Sequence, residues 1–492
     1  MIIILNYDSM KYERVFQILK NKIECGLLPA GSSLPSRQVL SREFQTSEKT
    51  IRHALAKLEE EGLIQTQQRK RPVVSRGHAH EHQVTKLAMK KIDTTITNDL
   101  LKTGVLLCYP VIKNGIALCE QEDLKIPRRI LENIDVENGE EFWVQTKRFL
   151  RFFIARNENN LSLSTVDSLG LEDLKPMKDT AEIRSRLYKQ LDDFLQIIER
   201  GDPSESAYFD DLSELYGLTY AKQPAFRVPA DSAVIFGRED LEKPLAGAEL
   251  RYSAVYMDLL SLIAMGRYLP GDKLPSHLEL QKIYNVSVDT TSKAIQLMQE
   301  WGIVKTVRGN GIYVEMDLAE LRKIQIPADL IAYHVRRYLD SLELLVLTIE
   351  GAAACAVPNI RQEEIAKVKE KMDQLWNEEY LYERTPAILL DFITEHLRIN
   401  AFQAIYRLLQ RNFRIGRSIP ALLDTNKTPV NTRIHEQCVE ALDTLSEGSQ
   451  EVFPGKTYLL FEDIRSLVIQ ECKRLGYYEA AMEVYDGSSL WK

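Results

Sequence analysis

The spacing of apolar residues near the start of the chain predicts helices. Between positions 12 and 25 they recur at helical intervals, at Val15, Phe16, Leu19 and Ile23. Gly26 lies where this helix should end. Two further apolar runs, around Leu40 and Ile51, each begin shortly after a serine, as capped helices do. After Gly62, β-type residues on both sides of a basic cluster predict a hairpin.

The same pattern returns 240 residues later. "GSSLPSRQVL" at 31–40 corresponds to "GDKLPSHLEL" at 271–280, and the register continues without a gap from Tyr12/Tyr252 to Val74/Val314. A match of this length at a fixed offset indicates an internal duplication. Three helices followed by a hairpin form a winged helix-turn-helix domain, whose third helix enters the major groove of DNA.

The segments after each winged domain are predicted to be mainly helical. The second begins with an apolar helix, a Pro-Asn break and an amphipathic helix with acidic residues at its start. The predicted fold class is mainly α with small β wings. Winged domains at 1–76 and 250–316 alternate with all-helical bundles at 86–240 and 326–486.

Bulk composition places the chain among soluble multidomain proteins. Its 492 residues are 45% hydrophobic and 27% charged. Apolar stretches such as "LLVLTI" are far shorter than the ~18 residues of a membrane span, so we expect a cytoplasmic protein without membrane contact. The six cysteines occur singly, without a C-x-x-C pair, which favours reduced and packed thiols.

Charge is distributed unevenly along the chain. The net charge of -8 argues against nucleic-acid binding over the whole length. Residues 11–74, however, contain 12 Lys and Arg against 7 Asp and Glu, whereas 251–314 contain 7 against 5. The candidate DNA contacts of the first winged domain lie in the turn before its second helix, on its third helix and at its hairpin tip. They are Ser36, Arg37, Ser47, Lys49, Arg52, His53, Arg69, Lys70 and Arg71.

Both duplicated segments resemble the GntR-type bacterial transcription regulators. The resemblance rests on the combination of P-G/A-G, L-P-S, the cap serine, A-L-x-x-L and E-G-L. It implies a DNA-binding winged domain, and it adds Thr50 and Arg52 as positions that contact DNA in the family. The first domain departs from the family at Gln38 and Glu48, where arginine is usual, and at Lys70, where the wing usually has glycine.

The second winged domain departs further from the family. Three positions where arginines are expected hold Leu278, Val288 and Ser292. Asp289 also replaces the counterpart of Lys49. Lys293 on the predicted exposed face and Arg308 in the wing "VRGNGIYV" remain as candidate DNA contacts. Two interpretations stay open: a weaker or changed DNA contact, or a structural and dimerising module.

The second helical region is similar to the start of the FadR-type effector domain. That resemblance implies a cavity for a small organic acid, often bound over a divalent metal that one aspartate and three histidines hold. The candidate ligands here are Asp391, His396 and His435. The alternative is that these polar side chains line a core or cavity without a metal.

Other polar features have both a ligand-binding and a structural interpretation. Arg151 and Arg156 occupy the positions of Asp391 and His396 in the first bundle. They could pair with an anionic ligand or form structural salt bridges. The alternating histidines of "RGHAHEHQ" could bind a metal, but a polar linker is the favoured interpretation.

The predicted function is a duplicated GntR-like transcription regulator. Its first winged domain would supply most of the affinity for double-stranded DNA, and its bundles would sense a small-molecule effector or mediate assembly, including a homodimer. The alternative is an interaction scaffold whose winged domains no longer bind DNA. An enzyme is not expected, because the sequence shows no nucleophile, phosphate loop or metal cluster of suitable spacing.

Overall fold

The computed structural model divides the chain into two compact units, residues 1–236 with 485–492, and residues 237–484. Each unit contains one winged domain and one helical bundle. The described residues are 7–24, 27–44, 46–66, 70–75, 94–169, 180–201, parts of 255–263, 268–284, 287–316, 328–377, 382–414, single positions between 416 and 422, and 427–484.

The first winged domain has the predicted order of elements. Its helices are α1 (Tyr7–Glu24), α2 (Arg37–Glu43) and α3 (Glu48–Glu60), and its antiparallel strands are β1 (Ile64–Gln65) and β2 (Val73–Val74). The apolar residues that predicted these helices form the core, where Leu19, Ile51 and Leu58 are fully buried. Helical spacing therefore gave the correct buried face.

The duplicated Gly-x-x-Leu-Pro-Ser phrase connects the wing to the helices. Gly31 has a φ of +82°, a conformation that glycine adopts without strain. The buried Leu34 donates its backbone N–H to the carbonyl of Pro72 in the hairpin at 2.8 Å. Two residues later, the Ser36 hydroxyl accepts from the N–H of Val39 at 3.3 Å and caps α2.

The second winged domain repeats this construction with a larger sheet. Residues 255–256, 259–260 and 262–263 are helical, and the elements that follow are β3 (Lys273–Leu274), α9 (His277–Tyr284), α10 (Val288–Glu300), β4 (Val304–Val307) and β5 (Gly311–Val314). The antiparallel sheet has the order β3-β5-β4. Gly271 again has a positive φ, +93°, and the Ser276 hydroxyl accepts from the N–H of Glu279 at 3.3 Å.

The first bundle contains five described helices with an aromatic core. They are α4 (Thr94–Ala117), α5 (Lys125–Glu132), α6 (Gly139–Ala155), α7 (Asn160–Ser168) and α8 (Ala181–Arg200). Phe149, Phe153 and Phe194 pack edge to face, with ring centroids 5.5 to 6.1 Å apart. The core therefore joins α6 to α8.

The second bundle is arranged around one long apolar helix. Its helices are α11 (Ala328–Ala356), α12 (Gln362–Asn377), α13 (Thr385–His396), α14 (Asn400–Phe413), α15 (Pro429–Ser446), α16 (Phe453–Arg474) and α17 (Tyr478–Val484). Within the described residues, the stretch 334–359 is the one helix long and apolar enough to cross a membrane. Here α11 contacts α14, α16 and α17, with Leu342 and Ile349 fully buried, so its apolar residues serve the bundle core.

The predicted fold class is confirmed. The chain is mainly helical, with a small antiparallel sheet in each winged domain.

Candidate nucleic-acid interface

The start of the recognition helix α3 is fixed by a cap. The Ser47 hydroxyl accepts from the N–H of Thr50 at 3.1 Å and lies 2.8 Å from the Thr50 hydroxyl. The Thr50 side chain is consequently only 2% exposed. The structure thus places Thr50 inside the domain, where it orders the helix end, rather than on the surface expected of a DNA contact. Ser47 itself is exposed at the helix start.

The basic side chains expected to contact DNA are exposed. They are Arg37, Lys49, Arg52, Lys70 and Arg71. None of the five forms an ion pair with another residue that the structure describes. His53 is also exposed, and its ring lies edge-on to Tyr12 with centroids 6.2 Å apart. Arg69 was also predicted to contact DNA, and it lies outside the described residues.

Other lysines of the same domain differ from these in having partners. The Lys20 ammonium lies 2.9 Å from Glu61, and the Lys22 ammonium lies 3.9 Å from Glu43. Lys57 lies over the ring of Phe16, with its ammonium 4.4 Å from the centroid. The cations of the expected DNA surface thus form no ion pair with a described residue, a property that exposed Arg42 of the same domain shares and that sequence spacing did not reveal.

The acidic residues of the first winged domain are partly neutralised. Besides Glu43 and Glu61, Glu59 accepts the backbone N–H of Thr66 at 2.9 Å. Glu48 is exposed in the first turn of α3. Its negative charge interacts favourably with the helix dipole there but would repel DNA phosphates.

The second winged domain retains the same frame with a different surface. The Ser287 hydroxyl accepts from the N–H of Thr290 at 3.3 Å, as Ser47 does for Thr50. Lys293 and Arg308 are exposed and form no ion pair with any residue in the described part of the chain. Lys305 differs from them, because its ammonium lies 3.1 Å from the Glu315 carboxylate.

Among the described residues of the second winged domain, four large apolar side chains are exposed. Leu278 and Val288 are 62% and 54% exposed, and they occupy the positions of Gln38 and Glu48 in the first domain. The other two are Leu269 and Val307. In the sequence, Leu278 and Val288 stand where the family resemblance implies arginines. Their exposure could not be deduced from the sequence, because an apolar residue near a helix start is more often buried.

The candidate metal ligands of the second bundle have separate partners. Asp391 accepts two hydrogen bonds from Arg414 at 2.8 and 2.9 Å. His396 Nε2 lies 3.2 Å from the Glu364 carboxylate, and its Nδ1 lies 2.8 Å from the Phe392 carbonyl. These contacts occupy the polar atoms that a metal would need.

His435, the third candidate, lies in an aromatic stack. Its ring is parallel to that of Trp376, 4.2 Å away, and burial lowers its pKa. In the described part of the chain, no group of three His, Cys, Asp or Glu side chains is arranged to hold a metal ion. The predicted set of Asp391, His396 and His435 is thus not brought together, because local partners fix each side chain.

The two arginines of the first bundle also have partners. Arg156 forms ion pairs with Asp123 at 3.1 Å and Glu158 at 3.5 Å. Arg151 is 3% exposed, and its Nη2 lies 2.5 Å from the Glu24 carboxylate at the end of α1. The latter ion pair joins the first winged domain to its bundle. The structural interpretation of both arginines agrees with these contacts.

Geometry and sequence comparison define the class of these domains. Three helices, a two- or three-stranded wing and serine-capped recognition helices define a winged helix-turn-helix fold. Residues 11–74 and 251–314 both match the family described as bacterial regulatory proteins, gntR family. Both winged domains therefore belong to the GntR family.

Curated relatives match parts of the chain. The HTH-type transcriptional repressor YtrA of Bacillus subtilis (strain 168) is 38% identical over 63 residues, which are 13% of this chain and 48% of YtrA. The uncharacterized HTH-type transcriptional regulator YcbG of the same organism is 23% identical over 141 residues, which are 29% of this chain and 59% of YcbG. The chain thus spans about half the length of these curated relatives.

Solved structures of similar proteins were also found. Lar of Listeria monocytogenes is 18% identical, with 45% of this chain and 98% of Lar covered and a TM-score of 0.24. A GntR protein of Streptococcus agalactiae is 18% identical, with 44% and 99% covered and a TM-score of 0.19. The relatives' names are those of regulators and not of enzymes.

Proposed function

We propose that the protein is a cytoplasmic GntR-like transcription regulator that binds double-stranded DNA mainly through its first winged domain. The observation that supports this most strongly is the set of exposed cations on α3, at the start of α2 and in the wing, all without ion pairs among the described residues. Such cations bind phosphates without first losing a protein partner. The GntR membership of the domain supports the same function.

The cations of the first winged domain divide into two roles. Lys49 and Arg52 lie near the start of α3, the part of a recognition helix that contacts base edges. Arg37, Lys70 and Arg71 lie at the start of α2 and in the wing, where phosphate contacts fix the position of the domain. Arginine and lysine at base edges favour guanine, because they donate to its O6 and N7.

The helical bundles are proposed to set the positions of the winged domains. Each winged domain contacts its own bundle through a polar pair whose bundle side chain is buried. The first is Glu24 with Arg151, and the second is the Tyr256 hydroxyl with His334 Nε2 at 2.7 Å. A small-molecule effector, or assembly into a homodimer, would regulate binding by favouring one arrangement of a bundle.

A gel shift with the DNA upstream of the protein's own gene, at two salt concentrations, tests DNA binding. Arg52→Ala should weaken specific binding about tenfold, since it removes a base contact. Arg71→Ala should weaken binding to all sequences and lower the salt slope by about 0.9, since it removes a phosphate contact. Lys20→Ala is the matched control, because it removes the same charge from a lysine that is already paired.

The opposite result favours the scaffold interpretation. If the wild-type chain binds no duplex even at low salt, or if Arg52→Ala and Arg71→Ala behave like Lys20→Ala, the first winged domain is not a DNA-binding domain.

A further inference from the structure

Two aromatic rings of the second bundle form a corner that holds an ammonium group. Trp376, near the end of α12, and Tyr382, in the short 3₁₀ helix Tyr382–Arg384, have ring centroids 5.8 Å apart and ring planes at 74°. The Lys427 ammonium lies 4.7 Å from the centroid of Trp376 and 4.9 Å from that of Tyr382. Both distances are within the range of about 6 Å over which a cation is attracted to a ring face. This aromatic corner is therefore a position for a cation.

The aromatic corner is supported by packing that does not involve the lysine. The Trp376 indole is parallel to the buried ring of His435, 4.2 Å away, and this stack joins α12 to α15. The 3₁₀ helix that carries Tyr382 contacts α12, α13 and α15. Both rings are consequently in place before any ligand arrives, which lowers the cost of binding.

Lys427 is a replaceable occupant of the aromatic corner. Its side chain is exposed and forms no ion pair or hydrogen bond with another described residue. Its backbone is positioned separately, because the next residue, Thr428, caps α15 by accepting from the N–H of Asn431 at 3.1 Å. A lysine ammonium is strongly hydrated, so its transfer from the rings to water costs little. Lys427 thus marks a cation position that a less hydrated cation can take.

The charges beside the aromatic corner favour a cation over an anion. Asp373 lies three residues before Trp376 on α12, and Glu436 follows His435 on α15; both carboxylates are exposed. Burial lowers the pKa of His435, and the two carboxylates oppose this shift whereas Lys427 adds to it. Since both carboxylates remain when Lys427 leaves, they attract a cationic ligand to its place.

Arg384 is the charge that could oppose such a ligand, because it lies two residues after Tyr382. Its effect falls on another group. Burial raises the pKa of Asp391, and Arg384 is one of the cations that oppose this rise. The Asp391 carboxylate therefore balances part of the charge of Arg384.

We infer that the second bundle binds a small methylated ammonium compound, whose trimethylammonium group takes the place of the Lys427 ammonium between Trp376 and Tyr382. The methyl groups favour this ligand over lysine, because they reduce the hydration of the cation and add apolar contact with the rings. The inference goes beyond the proposed function, which states no ligand chemistry. Only the use of this ligand as an effector of DNA binding rests on that function.

Calorimetric titration of the full-length chain with choline provides the first test. The control ligand is the neutral alcohol that has a tert-butyl group in place of the trimethylammonium group, since it has the same shape without the charge. Choline should bind, and the neutral alcohol should bind at least about tenfold more weakly. Glycine betaine, which adds a carboxylate to the same ammonium group, should bind more weakly than choline, because Asp373 and Glu436 repel that carboxylate.

Variants of the two rings assign binding to the aromatic corner. Trp376→Leu and Tyr382→Leu should each lower the affinity for choline about tenfold, because each removes one ring face. Tyr382→Phe keeps the ring and should retain most of the affinity. Circular dichroism checks the folding of each variant, and the two Tyr382 variants decide the test if Trp376→Leu does not fold.

The variant of the lysine tests its role as an occupant. Lys427→Ala should raise the affinity for choline about threefold, because no side chain then competes for the rings. Lys473→Ala is the matched control, because Lys473 lies over a single ring, with its ammonium 4.8 Å from the centroid of Tyr478. Its removal should leave the affinity unchanged.

The outcomes separate this inference from the proposed function. If choline binds neither the wild-type chain nor Lys427→Ala, or if the neutral alcohol binds as tightly as choline, the aromatic corner is only a structural contact of Lys427. If Lys427→Ala weakens binding, or if glycine betaine binds more tightly than choline, the ligand class is wrong. Each of these results overturns the inference and leaves DNA binding in the gel shift untouched. If choline binds as expected but the chain binds no duplex at low salt, the ligand site stands and the proposed function fails.

Discussion

The two winged domains have the same framework and different surfaces. In both, a glycine with positive φ, a buried leucine and a capping serine attach the wing to the helix pair. Yet the first domain exposes Arg37, Lys49 and Arg52 where the second has His277, Asp289 and Ser292. After a duplication, residues that hold the fold are constrained by packing, whereas surface positions are free to take up a new recognition chemistry.

The largest expected effects come from the buried leucine that both domains share. Leu34 is 0% exposed and Leu274 is 2% exposed. Leu34→Ala and Leu274→Ala should each lower the free energy of unfolding of their own unit by about 3 kcal/mol, because a cavity replaces a packed side chain. Denaturant unfolding of each variant measures this. If DNA binding depends mainly on the first domain, Leu34→Ala should weaken it far more than Leu274→Ala.

Equal losses of DNA affinity in these two leucine variants would contradict the prediction that the first winged domain contributes most of the DNA binding. Leu118→Ala is the control, because Leu118 is 44% exposed and should cost little.

A pH effect should distinguish the contacts between each winged domain and its bundle. His334, which bonds Tyr256, is fully buried, and burial lowers its pKa to about 3. In the unfolded chain its pKa is near 6.5. The unfolded state therefore binds a proton that the folded state does not, and stability falls as the pH drops from about 6.5 towards 3. The residue 240 positions earlier in the sequence is Thr94, which does not titrate, so we expect the effect in the second unit.

Thermal unfolding at pH 7 and pH 5 measures this difference. His334→Gln should reduce the loss of stability between the two pH values by about 2 kcal/mol, which corresponds to one proton over 1.5 pH units. The variant Tyr256→Phe removes the hydrogen bond but keeps the histidine, and should leave the pH dependence in place. A His334→Gln variant with the wild-type pH dependence would show that other groups control acid unfolding.

The corresponding contact in the first unit is the ion pair of Glu24 with Arg151, and its contribution to stability should depend on the charge of Glu24. Glu24→Gln keeps the size of the side chain and removes the carboxylate that faces the buried Arg151. We expect a loss of about 2 kcal/mol in the free energy of unfolding, because a buried arginine then faces a neutral group. Chemical denaturation measures it, and Glu60→Gln on the exposed surface of α3 is the control. An unchanged stability would mean that this ion pair does not hold the domain.

Local features were predictable from the sequence, whereas tertiary partners were not. The helices, caps and wings follow from spacing and from residue types at the ends of elements, and the structure confirms Ser36 and Ser47 as helix caps. Thr50 shows the limit: its position suggested DNA contact, but its hydroxyl faces Ser47 inside the domain. Asp391 shows it too, because only the fold brings Arg414, 23 residues away, to its carboxylate.

The smallest expected effects concern the caps, and they sharpen the comparison of the two recognition helices. Ser47→Ala and Ser287→Ala each remove one capping hydrogen bond and should lower the free energy of unfolding by about 1 kcal/mol. The two losses should be similar, because the geometry is the same in both domains. Their effects on DNA affinity should differ, since Lys49 and Arg52 follow the first cap and Val288 and Asp289 follow the second.

Ser47→Asp, which keeps the cap but adds a negative charge at the DNA surface, should retain stability and lose affinity. If Ser47→Asp binds DNA as tightly as the wild-type chain, the start of α3 does not face the duplex.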